Sequence, residues 1–233
     1  MKTLVVIPAY NEEETIADII TKVQEYKDKG LIQKIVVVDD CSEDNTAEVA
    51  QNLGAAVVSH VVNRGYGAAQ KTGQRIAVEE AFDYVIQIDA DGQHDPHYIP
   101  VFIETMKEGD YDIILGSRFL NKSYREYVFT RRVGIKLFTL IVNVLGSVAL
   151  TDITSGYKMY RVSQLKELSR TSDKHPAVEQ MLEISRKKMK IKEISIEMPI
   201  RRKGKSHLTL KTYALYPFRV LETMFTVILF RRD

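Results

Sequence analysis

The first half of the chain repeats one pattern five times: a short run of β-branched residues, a polar cluster, then a stretch with helical signals. The runs are Leu4 to Ile7, Ile35 to Val38, Val57-Val58, Tyr84 to Ile88 and Ile113 to Leu115. They are continuously apolar rather than alternating, as strands buried on both faces are. Between them, a helix is expected from Asn11, with Glu12, Glu13 and Glu14 at its start, to about Lys29, where Gly30 ends it. Ser42, Asp44 and Asn45 offer caps for a second helix that Gly54 stops. A third follows the Asn63 to Gly67 turn as far as Phe82, and a fourth runs from about His97 to Lys107. This alternation predicts an α/β fold: a mostly parallel, Rossmann-like sheet with helices on both faces. Ligands of such sheets sit beyond the carboxyl ends of the strands. The notable polar residues fall there: Tyr10 to Glu12, Asp39-Asp40, and Asp89 to Gln93.

The second half is less regular. An apolar helix is expected over Arg132 to Leu150, a strand over Gly156 to Arg161, a helix over Pro176 to Lys188 and a strand over Ile191 to Ile200. A basic loop, Arg201 to His207, precedes a closing amphipathic helix over Tyr213 to Phe230. A length of 233 residues with no repeat or linker fits one continuous domain, residues 1–212, with the amphipathic helix in 213–233. Lys and Arg number 33 against 31 Asp and Glu, so bulk charge gives no support for a nucleic-acid partner. Acids gather early (Asp39, Asp40, Asp89, Asp91, Asp95) and bases late (Arg125, Arg131, Arg132, Arg201, Arg202, Lys203, Lys205). An acidic metal site beside basic phosphate contacts produces such an asymmetry. The single cysteine, Cys41, cannot form an internal disulfide, which is compatible with a reducing cytosol, and Met1-Lys2-Thr3 runs into a strand without a signal peptide.

Asp89-Ala90-Asp91 stands directly after a buried strand. Mg²⁺ takes one or two carboxylates plus substrate phosphates, so the pair suits a cation that neutralises a departing diphosphate. Asp39-Asp40 would be costly at a strand end unless bonded or facing a ligand, with helix capping as the plainer reading. Asn63-Arg64-Gly65-Tyr66-Gly67 gives a turn that a nucleotide can approach closely. The first strand is followed by Pro8-Ala9-Tyr10-Asn11-Glu12 instead of glycines, which argues against a nicotinamide dehydrogenase.

Together these stretches resemble the family-2 glycosyltransferases of the GT-A fold, and among them dolichol-phosphate mannose synthase and its polyprenyl-phosphate glycosyltransferase relatives. Gly116-Ser117-Arg118, Asp152-Ile153-Thr154-Ser155-Gly156-Tyr157 and Arg202-Lys203-Gly204-Lys205-Ser206 extend the likeness, in family order, over almost the whole chain. The resemblance implies that Pro8, Tyr10, Glu12, Val38 and Asp40 surround the nucleoside of a nucleotide-sugar donor. It further implies that Asp89, Asp91 and Gln93 hold Mg²⁺ or Mn²⁺, with Ala90 between them. Arg118 and Arg131 would grip phosphate oxygens, and Lys203 with Ser206 would lie over the phosphates. Gly92 stands where the mannose synthases commonly carry leucine, and Glu179-Gln180 where they offer a lysine. The sugar and base are therefore not carried over: glucose or N-acetylglucosamine on a uridine carrier is as well supported as mannose on guanosine.

Family members invert in one in-line displacement. A lipid-phosphate acceptor is already an anion and needs little base catalysis, whereas a hydroxyl acceptor needs a base, for which Asp152 and then Glu179 are the candidates. Asp152 as a turn carboxylate is the plainer reading. Neither 131–150 nor 213–233 spans a bilayer comfortably, but both could lie in a membrane interface, which places the enzyme as peripheral or monotopic on the cytoplasmic face. Transfer to a polysaccharide hydroxyl and a non-catalytic nucleotide-sugar-binding protein are the alternatives.

Overall fold

The computed structural model of the chain describes residues 1–121, 124, 127, 129–165, 168 and 176–199. Strands β1 (Thr3–Ala9), β2 (Lys34–Asp39), β3 (Ala56–Ser59) and β4 (Tyr84–Gln87) alternate with helices α1 (Ile16–Asp28), α2 (Thr46–Asn52) and α3 (Tyr66–Glu79). A 3-10 turn over Pro96–Tyr98, α4 (Ile99–Glu108), β5 (Ile113–Ser117) and α5 (Phe129–Gly146) follow. β6 (Lys158–Arg161), α6 (Val162–Leu165), α7 (Pro176–Arg186) and β7 (Ile191–Ser195) complete the described elements. All five expected strands of the first half are present. The basic loop, the closing helix, Lys203 and Ser206 lie outside the described residues.

The strands form one sheet in the order β3-β2-β1-β4-β6-β5-β7. Every neighbouring pair is parallel except those of β6, which runs antiparallel to both β4 and β5. Residues on each strand divide their side chains between two cores, as the period of two requires. Val5, Ile7, Val37 and Ile114 pack with Ile16, Ile20 and Phe102 from α1 and α4. Leu4, Val6, Val38 and Leu115 pack on the other face with Ala69, Phe138 and Met181 from α3, α5 and α7. Helix α3 comes close to β1 because Gly73 has no side chain: a Cβ there would lie 2.1 Å from a methyl of Val6.

Helix α1 begins later than Asn11 and its acids suggest, whereas α2 begins directly after the expected cap Asn45. Asn11 and Cys41 adopt positive φ, +54° and +64°, and the loops after β1 and β2 bond to each other before either chain turns into helix. Glu12 N–H donates to Thr46 Oγ1 at 2.8 Å, and Glu43 N–H to Asn11 Oδ1 at 2.8 Å. The acids Glu12 to Glu14 therefore sit in a turn, and Asp44 accepts from the N–H of Thr46, the first residue of α2. Helix α5 presents an uncovered apolar stripe at helical spacing, Phe129, Val133, Leu137, Leu140 and Val144, exposed by as much as 70% at Phe129. No described helix is long and apolar enough to cross a membrane.

Candidate active site at the carboxyl edge of the sheet

Register fixes where the functional residues meet. Ala9, Asp39 and Ser59 are aligned neighbours on β1, β2 and β3, so the loops that follow emerge along one edge. Because β6 is reversed, its first residue, Lys158, pairs with Gln87 on β4 and Leu115 on β5. The Asp152 to Tyr157 turn thus reaches the same edge as Asp89 and Arg118. A parallel β6 would have delivered that turn to the opposite end.

At the first crevice, Pro8 and Val38 are register partners, and Val38 lies wholly in the core. What Val38 could offer a nucleoside is its backbone. Tyr10 is half-buried, and buried Glu12 accepts from the Thr15 hydroxyl at 3.1 Å. Asp40, expected against the nucleoside, is hydrogen-bonded through both carboxylate oxygens. Its Oδ1 faces His60 Nδ1 at 2.6 Å and accepts from Arg64 N–H at 2.9 Å, while Oδ2 accepts from Gly65 N–H at 2.6 Å. His60 continues to Thr72 Oγ1 at 2.9 Å. This buried arrangement clamps the turn that opens α3, where Gly65 has φ +92°, a conformation few other residues accept.

The clamped turn delivers Tyr66, whose hydroxyl donates to Asp89 Oδ1 at 2.6 Å. The Asp89 backbone N–H donates to His94 Nδ1 at 2.9 Å, so the His94 proton sits on Nε2. Burial pulls the His94 pKa down to about 4, keeping the ring neutral where it stacks on Tyr157, centroids 5.0 Å apart. Burial likewise raises Asp89 to about 6, opposed by the Tyr66 hydrogen bond and the Lys158 and Arg118 charges. Its side chain keeps 26% of its surface open to solvent, which tempers that shift. Gly156 makes the close approach possible: a Cβ there would stand 2.7 Å from the Tyr66 hydroxyl and 2.8 Å from Asp89 Oδ2.

Asp91 and Gln93 complete the loop. Asp91 Oδ1 accepts from Gln93 N–H at 3.0 Å, and Gln93 Nε2 donates to the Pro199 carbonyl at 2.7 Å, tying the loop to the segment after β7. Buried Ala90 lies between two carboxylates that are both solvent-accessible. Among the described residues no three acidic, His or Cys side chains converge as a metal cage. Two hard carboxylates fit a Mg²⁺ or Mn²⁺ whose remaining positions come from substrate phosphate and water. Gln93, with its amide nitrogen engaged, has Oε1 left for such an ion.

Arg118 and Asp152 form a buried pair, exposed by 3% and 0%. The guanidinium meets the carboxylate with both Nε and Nη2, the latter at 2.7 Å, in the two-pronged geometry that suits the pair. Asp152 also accepts from Arg118 N–H at 3.2 Å, Thr154 Oγ1 at 3.0 Å and Thr154 N–H at 3.3 Å. Five donors fall on a group with about four lone-pair sites. The carboxylate named as the candidate base is thus hydrogen-bonded on both oxygens. Arg118, expected to grip phosphate, turns Nε and Nη2 to Asp152, with Nη1 3.8 Å from Met198 Sδ. Burial disfavours its charge, and the Asp152 carboxylate more than compensates, so its pKa is raised. The pair holds the 152–157 turn against the end of β5. Arg131 falls within α5, and its side chain is outside what is described.

Sequence reasoning assigned no role to His60, Tyr66, His94 or Lys158. Tyr66 stands inside the Asn63 to Gly67 turn, His94 directly follows the Asp89 to Gln93 cluster, and Lys158 directly follows the Asp152 to Tyr157 stretch. The signal of Tyr66 and His94 was polarity beside glycine or aspartate, and that of His60 and Lys158 was polarity at a strand end, which becomes specific only when the partner strands are known.

The profile of glycosyl transferase family 2 matches residues 4–169. UDP-N-acetylglucosamine–dolichyl-phosphate N-acetylglucosaminyltransferase of Methanococcus voltae is 30% identical over 213 residues, covering 82% of this chain and 83% of that protein. Undecaprenyl-phosphate mannosyltransferase of Micrococcus luteus is 30% identical over 174 residues, covering 72% of this chain and 70% of that one. Among solved structures, glucosyl-3-phosphoglycerate synthase from Mycobacterium tuberculosis in complex with Mn²⁺, UDP and glucosyl-3-phosphoglycerate aligns with a TM-score of 0.74 at 20% identity, over 97% of this chain and 79% of that one. That likeness carries the fold, while the matched residues include the whole carboxyl-edge loop set from Tyr10 to Lys158. The chain belongs to glycosyl transferase family 2.

Proposed function

We propose that this glycosyltransferase moves a sugar from a nucleotide-diphosphate sugar to a polyprenyl phosphate with inversion at the anomeric carbon, using Mg²⁺ or Mn²⁺ held by Asp89 and Asp91. The observation that carries the choice of acceptor is the saturated Asp152 carboxylate. With all its lone pairs engaged by Arg118 and Thr154, the residue best placed in sequence to deprotonate a hydroxyl is withdrawn from that chemistry. Glu179, the second candidate, is buried on α7. An acceptor phosphate is an anion at neutral pH, so positioning and electrostatics suffice for attack. The names of the two relatives support the same acceptor class.

In this reading a divalent cation stabilises the charge that develops on the leaving diphosphate. Tyr66 and His94 fix the loop that carries Asp89, through its carboxylate and its backbone N–H respectively. The Asp40 clamp holds the turn that carries Tyr66. The apolar stripe of α5, with Arg132 and Lys136 on the same helix, suits a peripheral position on a membrane surface where the lipid acceptor resides.

The test is a panel of UDP- and GDP-sugars, each with Mn²⁺ or Mg²⁺, with and without a short polyprenyl phosphate. Labelled sugar partitioning into the organic phase is the expected result. Metal-dependent donor binding with transfer only to a hydroxyl would overturn the acceptor assignment.

A further inference from the structure

Lys158 is the least expected residue of the sheet. It opens β6, has 2% of its surface exposed, and lies between Gln87 and Leu115, two residues before Asp89 and three before Arg118 on the flanking chains. Its ammonium donates no hydrogen bond to a described residue and has no described carboxylate within the 4.0 Å of an ion pair. The charges it senses are Asp152 and Asp89. Neither makes an ion pair with it: Asp152 is paired with Arg118, and Asp89 Oδ1 accepts from the Tyr66 hydroxyl. Among the described residues, the carboxyl edge therefore contains a buried cation with no carboxylate in ion-pair contact.

A buried ammonium is costly unless an anion and hydrogen-bond acceptors face it. No described carboxylate comes within ion-pair distance of it, and a phosphate group provides both requirements at once. Lysine, a compact charge with three rotatable donors, is suited to a phosphate as a point contact. Burial lowers its pKa to about 8, which still leaves the amine mostly protonated at neutral pH. We infer that Lys158 is a phosphate-binding residue of the transfer centre, and that its partner is a substrate phosphate. The inference rests on the glycosyl-transfer reading above. The donor diphosphate and the acceptor phosphate share the required chemistry, and the experiment separates them.

Full-length Lys158→Met and Lys158→Gln are compared with the unaltered protein in three measurements. These are calorimetric affinity for UDP and for GDP with Mn²⁺, the concentration of a short polyprenyl phosphate giving half-maximal transfer, and the ligand-free melting temperature. Loss of one charged contact predicts a weakening of about tenfold or more. A loss confined to nucleotide affinity assigns Lys158 to the donor, and one confined to the lipid phosphate assigns it to the acceptor. In either case the ligand-free melting temperature of the Met variant stays level or rises, because an unpaired buried charge has gone. Both ligand constants staying within about twofold in both variants overturns the inference, and a fall in melting temperature would then mark Lys158 as an internal counter-ion. If the unaltered protein binds neither nucleotide, the glycosyl-transfer reading itself fails, whatever the variants do.

Discussion

Single side chains at the carboxyl edge act mostly on one another. Tyr66 is the clearest case, since its one hydroxyl links the α3 turn to a carboxylate expected to bind metal. Outer-shell partners of this kind orient a ligand, and their loss typically costs 10–100-fold in metal affinity. Tyr66→Phe should thus weaken Mn²⁺ binding in the presence of nucleoside diphosphate by roughly tenfold, read by a Mn²⁺ titration, with the ligand-free melting temperature little changed. The Arg118–Asp152 pair makes a different prediction. Asp152→Ala strands a buried guanidinium and should cost roughly 3–5 kcal/mol in denaturant unfolding. Arg118→Met with Asp152→Leu, which removes both charges, should recover most of that loss. Asp89 and Asp39-Asp40 were legible as polar residues at the carboxyl edge because they stand where an apolar run ends. The occupations of Asp40 and Asp152 were not, because their partners lie far along the chain: His60 is 20 residues from Asp40, and Arg118 is 34 from Asp152.

Among the elements, the strands were the readable part. Continuous β-branched runs have few alternatives once glycines and prolines bound them, and the five expected in the first half appear within a few residues of their limits. The start of α1 was less legible, because Asn11 and Ser42 spend their side chains between neighbouring loops, while Asp44 does accept from the first N–H of α2. The direction of β6 could not be read locally, since Lys158 to Arg161 pairs equally well either way until both neighbours are known. Helix α5 was foreseen as apolar, and the structure adds that one side of it is uncovered. Replacing both Leu137 and Leu140 with glutamate should abolish co-sedimentation with anionic vesicles. Stability should stay within about 0.5 kcal/mol, as for other exposed positions. Retained vesicle binding would remove α5 from the membrane reading.

At the scale of the whole molecule, sequence order and spatial order disagree in one place that matters. β6 is inserted between β4 and β5, so the two halves of the chain share one sheet. Residues 1–121 alone would leave β4 with an open edge and β5 detached from it. That fragment should show no cooperative thermal transition by far-UV circular dichroism, whereas the full chain should. A folded fragment would mean that the first four strands form an independent unit.

The inserted strand also sets a clock during synthesis. On a ribosome adding roughly 5–20 residues per second, β4 emerges several seconds before the strand that will cover its edge. Through that interval an apolar strand with unpaired amides is open to any other nascent chain nearby. The same delay means that Asp89 is made early but has no Arg118–Asp152 brace and no Lys158 beside it until the late segment arrives. A nascent chain of this enzyme is therefore first a hazard of aggregation and only afterwards a catalyst, in an order dictated by one reversed strand.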